Sequence, residues 1–352
     1  MVEEDLSCRE QTHAARRPCE ERAAQLVFET PDLPADRGLR DAQAACSAPD
    51  VALLGDRDKV TDLRQAHLWS RIVPLARRLR KGFARQIKKV LDGGRGPRHD
   101  GVMAIEIHGN GAIERLRRAG RAAAETLALV GTRIRPGITT AQIDAWVRED
   151  TARRGGRPSQ LGYHGFPAAV CTSRNEVVCH GIPRPDVVLE NGDIVNVDVT
   201  TELDGYHGDT SATFIVGDAS AEARHVVDVA RRCRDAGVAV VREGARFGDI
   251  GAAIEELARR EGCAIVREYG GHGIGRKMHQ SPHVHHTGAR GTGPRFRIGM
   301  AFTIEPMVNL GTEDVRRLPD GWTVVTADGR LSAQFEHTVL VTPDGHEVLT
   351  AL

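Results

Sequence analysis

A strand–turn–strand signal near the middle of the chain constrains the fold most. Residues 194–200 form a strand-like run, and Asp204-Gly205 is a strong signal for a two-residue hairpin loop. With those two residues as the loop, position 198 lies opposite position 211. Side chains alternate along a strand, so position 209 shares the face of 198. We therefore expect Asp198 and Asp209 to project from adjacent strands into one space.

This pair of aspartates predicts a site that binds cations or protons. Two buried carboxylates that lie close together repel each other, so they need either a shared proton or bound cations. Aspartate is depleted in strands, and packing does not explain Asp198 inside Ile-Val-Asn-Val-Asp-Val. Asp209 alone would be read as a solvated acid at a strand end. The sequence leaves a pair of divalent metal ions and a shared proton as the two solutions.

Two glutamates and a histidine extend the candidate ligand set. Glu305 and Glu336 stand in apolar runs that resemble strands, where an ionised carboxylate is costly unless it is paired or bound to metal. His272 lies between Gly271 and Gly273, which lets the backbone approach neighbouring strands closely. Two Asp, two Glu and one His suit two ions such as Mn²⁺, Fe²⁺, Co²⁺ or Zn²⁺.

Other histidines fall into two groups. The sequence around His180 and His279 favours a chemical role for these two residues over a structural one. Cys179 and His180 are not expected to form a nucleophilic pair, because adjacent strand residues point to opposite faces. We expect the segment with His283, His285 and His286 to be an exposed loop that can bind stray metal.

An internal repeat predicts the architecture. Gly137, Ile143 and Gly155 recur 107 residues later as Gly244, Ile250 and Gly262, each set around a helical pattern. Each of these helices follows another candidate helix and leads into β-rich stretches. The stretches are 169–178 and 193–199 in the first half, and 300–308 and 335–341 in the second. Two such units predict an α+β fold with pseudo-twofold symmetry, in which strands of both halves form one curved antiparallel sheet flanked by helices.

Composition excludes several classes of protein. The 352 residues contain 48 Lys+Arg and 48 Asp+Glu, and this balance argues against a DNA-binding role for the whole chain. No apolar run is long enough to span a membrane, and the acidic first residues do not resemble a secretory signal. The seven cysteines have neither zinc-site spacing nor an obvious disulfide framework. We expect a cytoplasmic protein with reduced thiols.

The first 102 residues differ from the rest. They mix charges, Pro and Gly, and residues 71–98 are strongly basic. We expect an N-terminal extension that is disordered or partly helical, with contact to ribosomal RNA as an alternative for the basic segment. A third interpretation is that Met103 is the natural start and that the upstream part is not normally made. Residues 103–352 are the expected catalytic domain.

Seven ordered motifs in residues 103–352 closely resemble the methionine aminopeptidases. They are Tyr163-His-Gly-Phe-Pro with Cys171, Asn175-Glu-Val-Val-Cys-His-Gly-Ile-Pro, Asp193-Ile-Val-Asn-Val-Asp-Val-Thr, Tyr206-His-Gly-Asp-Thr-Ser, Gly271-His-Gly-Ile-Gly, Phe302-Thr-Ile-Glu-Pro-Met and Ser332-Ala-Gln-Phe-Glu-His-Thr. The resemblance implies the pita-bread fold. Only 25 residues separate His279 from Glu305, which is typical of the first type of this family, because the second type carries a helical insertion there.

The resemblance also implies roles for particular residues. Five of them are implied ligands of two divalent ions, with Asp209 and Glu336 bridging: Asp198, Asp209, His272, Glu305 and Glu336. His180 and His279 are implied to contact the substrate around the scissile bond. The implied lining of the methionine pocket is Tyr163, Phe166, Cys171 and Trp322. Gln160 stands where a small Cys is usual, and Met278 where an aromatic residue often precedes the second His, which leaves the shape of the pocket open.

The expected reaction is removal of the N-terminal methionine from nascent polypeptides, with preference for a small second residue. A metal-activated water attacks the scissile carbonyl, with Glu305 as general base. One alternative is an Xaa-Pro aminopeptidase or prolidase on the same fold. The other is a non-catalytic peptide-binding module that has lost its metals, which the complete ligand set disfavours. We expect a monomer without a membrane or DNA partner, and the ribosome is a candidate partner.

Overall fold

The computed structural model describes residues 105–352. The expectations for the N-terminal extension 1–102, its basic segment 71–98 and the start at Met103 concern residues outside this range. Within it, no helix is long and apolar enough to cross a membrane.

Within residues 105–352, four helices form two equivalent pairs, as the repeat predicts. They are α1 (Asn110–Gly131), α2 (Thr140–Arg153), α3 (Ala221–Ala239) and α4 (Phe247–Arg260). Gly137 and Gly244 precede α2 and α4 with φ of 88° and 82°, a conformation that favours glycine. Ile143 and Ile250 are both fully buried on these helices. The two helix pairs therefore confirm the predicted duplication.

The central hairpin has the predicted register. Strand β4 (Ile194–Leu203) pairs with β5 (Tyr206–Ile215) along its full length, and position 198 lies opposite 211. Asp204 and Gly205 form the loop with φ of 53° and 77°, which is typical of a tight hairpin turn. The turn chemistry and the alternation of side chains were sufficient to predict this pairing.

The remaining strands are short and all their pairings are antiparallel. In the first half they are Arg157–Pro158 (β1), Cys171–Arg174 (β2) and Val177–Cys179 (β3). In the second half they are Ala264–Ile265 (β6), Gly271–Gly273 (β7), Gln280–Val284 (β8), Ala301–Ile304 (β9), Met307–Asn309 (β10), Val315–Arg317 (β11), Val324–Thr326 (β12), Ser332–Gln334 (β13), His337–Thr342 (β14) and Gly345–Val348 (β15). A short 3-10 turn covers Tyr163–Gly165.

Backbone pairing divides these strands into four sheets rather than one continuous sheet. The orders are β1-β4-β2 with β5 beside β4, β13-β10-β6, β11-β12-β3, and β15-β14-β9-β7-β8. An isolated bridge between Ser211 and Glu336 joins the hairpin of the first half to the second half. The junction of the halves thus runs through one of the predicted site residues.

Three of the predicted strands are interrupted, two of them at predicted site residues. The stretch 169–178 is broken at Asn175, which has a φ of 54°. Glu305 lies between β9 and β10, and Glu336 lies between β13 and β14. The expectation that both glutamates stand inside strands is therefore wrong. Each stands at a break in a strand, where the backbone departs from the ladder and its side chain is redirected.

Each half has its own large apolar cluster. One packs α1 and α2 against β4 through residues such as Leu127, Ile143 and Val197. The other packs α3 and α4 against β9 and β14 through residues such as Val226, Ile250, Ile254, Phe302 and Val339. Burial of these side chains supplies the main driving force for folding. The helices thus form the outer layer and the strands carry the site.

Candidate metal centre and substrate cavity

All residues predicted for the site line one cavity of about 190 Å³. The lining comprises the five predicted ligands, the two histidines and the four pocket residues, together with Gln160, Thr200 and Met278. They come from β2, β4, β5 and β7 and from the segments that follow β1, β3, β7, β9, β11 and β13. The tertiary structure therefore brings together positions that are up to 176 residues apart in sequence.

The centre of this cavity can hold a metal ion. Donor atoms of Asp209, His272 and Glu336 all lie within 4.8 Å of one another. The imidazole Nε2 of His272 is 3.5 Å from Oδ2 of Asp209 and 3.6 Å from Oε1 of Glu305. Asp198 faces Asp209 closely enough for a hydrogen bond between the two carboxyl groups. The five predicted ligands therefore form one contiguous group.

The raised pKa values of these carboxyl groups favour the binding of a cation in the cavity. Burial and the charges of Asp209 and Glu305 raise the pKa of Asp198 well above its usual range. Burial and the charge of Asp209 likewise raise the pKa of Glu336 well above its usual range. Burial raises the pKa of Glu305 to about 7. Such carboxyl groups cannot all ionise together without positive charge nearby, and divalent ions with oxygen and imidazole ligands provide that charge.

A hydrogen bond between the two central strands fixes Asp209. Thr200 on β4 donates from Oγ1 to Oδ1 of Asp209 at 2.7 Å. Thr338 on β14 binds the backbone of the same residue on both sides: its Oγ1 accepts from the amide at 3.1 Å and donates to the carbonyl at 2.8 Å. This clamp holds Asp209 at the junction of the two halves.

Close packing explains the glycines on both sides of His272. A Cβ atom added at Gly271 would lie 2.2 Å from the carbonyl oxygen of Thr303, and one at Gly273 would lie 2.2 Å from that of Ser281. Only glycine permits these contacts. The backbone amide of His272 donates to Oγ1 of Thr303 at 3.0 Å. The expectation that the flanking glycines allow close backbone approach is confirmed.

Glu305 is held from three directions. Its Oε1 accepts from Oγ1 of Thr303 at 2.7 Å, and its Oε2 accepts from Nε2 of Gln334 at 3.2 Å. Its backbone amide donates to Nε2 of His286 at 3.1 Å. Because each contact restrains a different part of the residue, the carboxylate has little freedom to rotate away from the cavity.

The role of His286 corrects the prediction of an exposed histidine loop. His283 and His285 are exposed, but His286 is only 3% exposed. Burial and the neighbouring histidines lower its pKa to about 3, so the ring is neutral and can accept the hydrogen bond from Glu305. The signal that could have revealed it is alternation: His286 and the buried Val284 share one face of the chain.

Two more histidines stand at the wall of the cavity. His279 packs edge to face on His272, with ring centroids 4.1 Å apart, and its Nδ1 lies 2.8 Å from the hydroxyl of Tyr163. Desolvation and the charge of His272 lower the pKa of His279 to about 3. His180 has a φ of 56° and packs edge to face on Trp322. Burial lowers its pKa to about 4, so both rings are neutral near pH 7.

An apolar pocket adjoins the carboxylates. Phe166 and Cys171 are buried with Ala168, and Ile182 and Trp322 pack against them. The rings of Phe166 and Trp322 meet edge to face at 5.2 Å. Burial and the charge of Asp198 raise the pKa of the Cys171 thiol well above its usual range. Cys171 is therefore a neutral, apolar wall of the pocket rather than a nucleophile.

The comparisons with known proteins identify the family of this chain. A model of metallopeptidase family M24 matches residues 114–343. Methionine aminopeptidase A of Synechocystis sp. is 50% identical over 238 residues, which cover 68% of this chain and 94% of that protein. Methionine aminopeptidase of Escherichia coli is 46% identical over 249 residues, which cover 70% of this chain and 94% of that protein.

Solved structures show the same fold. The crystal structure of methionine aminopeptidase from Rickettsia prowazekii is 45% identical with a TM-score of 0.69, and the match covers 70% of this chain and 100% of that chain. A Xaa-Pro dipeptidase from Bacillus anthracis is 21% identical with a TM-score of 0.56 over 70% of this chain and 62% of its own; that likeness concerns the fold alone. The pita-bread fold is thus confirmed, and this chain belongs to metallopeptidase family M24 and, within it, to the methionine aminopeptidases.

Proposed function

We propose that this chain removes the N-terminal methionine of polypeptides with two divalent ions held by Asp198, Asp209, His272, Glu305 and Glu336. The observation that carries the proposal is the cluster of Asp209, His272 and Glu336, whose donor atoms lie within 4.8 Å of one another at the end of an apolar pocket. Mixed carboxylate and imidazole ligands suit Mn²⁺, Fe²⁺, Co²⁺ or Zn²⁺. When bound, such ions supply Lewis acidity and lower the pKa of water.

Glu305 acts as the general base. A pKa of about 7 suits a group that accepts a proton from water and returns it to the leaving amine near neutral pH. The hydrogen bonds from Thr303 and Gln334 hold both carboxylate oxygens in place. Its Oε1 lies 3.6 Å from Nε2 of His272, so the carboxylate of Glu305 adjoins the other proposed ligands.

His180 and His279 bind the peptide group around the scissile bond. Both rings are neutral near pH 7, with pKa values lowered to about 4 and 3. A neutral imidazole can donate one hydrogen bond and accept another without adding a charge to the cavity. Tyr163 fixes the ring of His279 through its hydroxyl. The two histidines are therefore suited to orient the substrate and to donate to the developing oxyanion.

Phe166, Cys171 and Trp322 receive the methionine side chain, with Tyr163 at the rim. An unbranched thioether packs well against aromatic rings and a neutral thiol. Cys171 lies opposite Asp198 in the sheet, so the apolar residues adjoin the carboxylates in the same cavity. This arrangement matches a substrate with an amino group at one end and an apolar side chain beside it. A small second residue is the expected preference.

The decisive experiment is release of methionine from the peptide Met-Ala-Ser by the apoprotein, before and after addition of Mn²⁺ or Co²⁺. An Ala-Pro peptide serves as the control substrate. Metal-dependent release of methionine alone supports the proposal. Cleavage of the Ala-Pro peptide instead assigns the chain to the Xaa-Pro hydrolases, and no cleavage with metal bound makes it a peptide-binding module.

Further parts of the proposal concern the whole chain. Residues 103–352 form the catalytic domain, since all the residues of the cavity lie within the described range 105–352. The partners are the N-termini of nascent polypeptides in the cytoplasm, and the protein acts as a monomer. The basic residues of 71–98 support a contact with the ribosome. Co-sedimentation of the full chain with ribosomes at low and high salt tests that contact, because binding to RNA phosphates weakens with salt.

A further inference from the structure

Gln160 stands between the substrate pocket and a predicted metal ligand. The side chain is only 6% exposed and lines the cavity. Its Nε2 donates to the backbone carbonyl of Asp198 at 2.9 Å and to Oδ1 of the same residue at 3.2 Å. Its Oε1 accepts from the amide of Thr200 at 3.4 Å. The carboxamide therefore spans the stretch of β4 that carries Asp198.

The carboxamide of Gln160 contacts mainly β4. An Asn or Gln side chain has two donor hydrogens and one acceptor oxygen, and two of the acceptors of Nε2 are oxygens of Asp198. The sulfur of Cys171 is a third and weaker partner, 4.0 Å from Nε2. The shorter hydrogen bonds of Gln160 therefore go to β4 rather than to the pocket wall.

The hydrogen bond to Oδ1 orients the Asp198 carboxylate. An N–H donor on one carboxylate oxygen favours the ionised form and fixes the rotation of the group. A metal ligand must be ionised and correctly oriented, and partners that hold ligands in this way affect metal affinity strongly. Asp209 has comparable support from Thr200. The carboxyl group of Asp198 receives a hydrogen bond from Gln160, besides its contact with the carboxyl group of Asp209.

The backbone of Gln160 also anchors the pocket wall. Its carbonyl accepts from the amide of Tyr163 at 3.0 Å, at the start of the turn Tyr163–Gly165. The preceding residue, Ser159, donates its amide to the carbonyl of Thr200 at 2.9 Å. One residue thus joins the turn that carries Tyr163 to the strand that carries Asp198.

We propose that Gln160 is a positioning residue that holds the Asp198 carboxylate for ion binding and ties the pocket wall to the metal centre. The proposal rests on the proposed function, because it assumes that Asp198 is a ligand. It assigns a purpose to a residue that differs from the small Cys expected at this position. Gln160 acts through Asp198 and is not itself a ligand.

The test compares the full-length wild type with Gln160→Met, which keeps the length of the side chain and removes its donors. Titration calorimetry with Co²⁺ measures the affinity and stoichiometry of binding, and the visible absorption of bound Co²⁺ reports the ligand geometry. We expect Gln160→Met to bind one ion about 10–100-fold more weakly and to change the Co²⁺ spectrum. At saturating Co²⁺, KM for Met-Ala-Ser stays close to wild type while kcat falls.

The control is Ser159→Ala, a neighbour whose hydroxyl contacts His207 and not Asp198. We expect wild-type Co²⁺ affinity in this variant. If Gln160→Met does not fold, Gln160→Leu provides a second variant without an amide donor, with the same expected loss of affinity.

Unchanged Co²⁺ affinity and spectrum in a folded Gln160 variant overturn the proposal, as does a change confined to KM, which would make Gln160 only a part of the pocket. A wild type that binds Co²⁺ but releases no methionine overturns the proposed function alone, because the calorimetric comparison still decides the role of Gln160. A wild type that binds no Co²⁺ overturns both.

Discussion

The hydroxyl of Thr303 lies 2.7 Å from Oε1 of Glu305 and donates to it, although the two residues are only two positions apart. The hydroxyl oxygen of Thr303 also accepts a hydrogen bond from the backbone amide of His272 at 3.0 Å. Thr303 is fully buried, and its single hydroxyl therefore sets the position of a proposed base and of a proposed ligand together. This relationship gives the first of five predictions.

Thr303→Val should lower kcat/KM for Met-Ala-Ser about 10–100-fold, the usual effect of removing a group that orients metal ligands. The change preserves shape but removes the hydroxyl. Thr303→Ser, which keeps the hydroxyl, should retain most of the activity. Equal losses in both variants would mean that the methyl group matters and the hydrogen bonds do not.

Glu305→Gln should reduce kcat about 10²–10⁴-fold, because the amide cannot accept the proton from water. Thermal unfolding should remain cooperative, since the amide occupies the same volume. Steady-state kinetics at saturating Mn²⁺ and peptide measure the effect. Wild-type kcat in this variant would remove Glu305 from the role of base.

Bound metal should stabilise the protein more at high pH than at low pH. The pKa of Glu305 is raised from 4.5 to about 7 in the folded chain. The folded chain thus retains a proton that the unfolded chain loses. Its stabilising effect is complete below pH 4.5 and is lost as the pH rises through 7. The raised pKa values of Asp198 and Glu336 act in the same direction.

The measurement is the rise in Tm on addition of Mn²⁺ at pH of about 5.5 and about 8, which lie on either side of the pKa of about 7 of Glu305. Because apoprotein and metal-loaded protein are compared at the same pH, the contribution to Tm of histidines outside the site is the same in both and does not affect the difference. We expect the larger rise at the higher pH, and a smaller difference between the two pH values in Glu305→Gln. Equal rises at both pH values contradict the idea that the ions replace protons.

His286→Leu should destabilise the protein by about 1–3 kcal/mol, the cost of leaving a buried amide without its acceptor. The amide concerned is that of Glu305, so activity should fall as well. His285→Leu is the matched control, because this neighbouring histidine is exposed, and it should change neither property. Urea unfolding and peptide release measure the two effects, and equal behaviour of the two variants would refute the role of His286.

Gly271→Ala should destabilise the fold and impair metal binding. The added Cβ would lie 2.2 Å from the backbone oxygen of Thr303, so strands β7 and β9 must separate beside His272. Gly111→Ala on the exposed side of α1 has open space around it and should be neutral or stabilising by up to about 1 kcal/mol. Thermal unfolding compares them, and a Gly271→Ala protein as stable as wild type would contradict the packing argument.

Local sequence patterns predicted much of the fold and of the site. The turn residues Asp204 and Gly205 determine the register that places Asp198 opposite Ser211, because turn geometry and alternation act over a few residues. The repeat of Gly137 and Gly244 predicted two equivalent helix pairs. The charge of Glu305 and Glu336 in apolar surroundings indicated their importance, although not the strand breaks at which they stand.

The sequence by itself therefore determined the residue types of the site, the hairpin that presents two of them and the family to which the chain belongs. Only the tertiary structure decided how the halves meet: the bridge of Ser211 to Glu336, the clamp of Thr338 on Asp209, and the contacts of Gln160 and His286. These contacts join segments far apart in the chain. Their formation depends on the packing of two cores and on the need to satisfy buried polar groups, which no short-range pattern encodes.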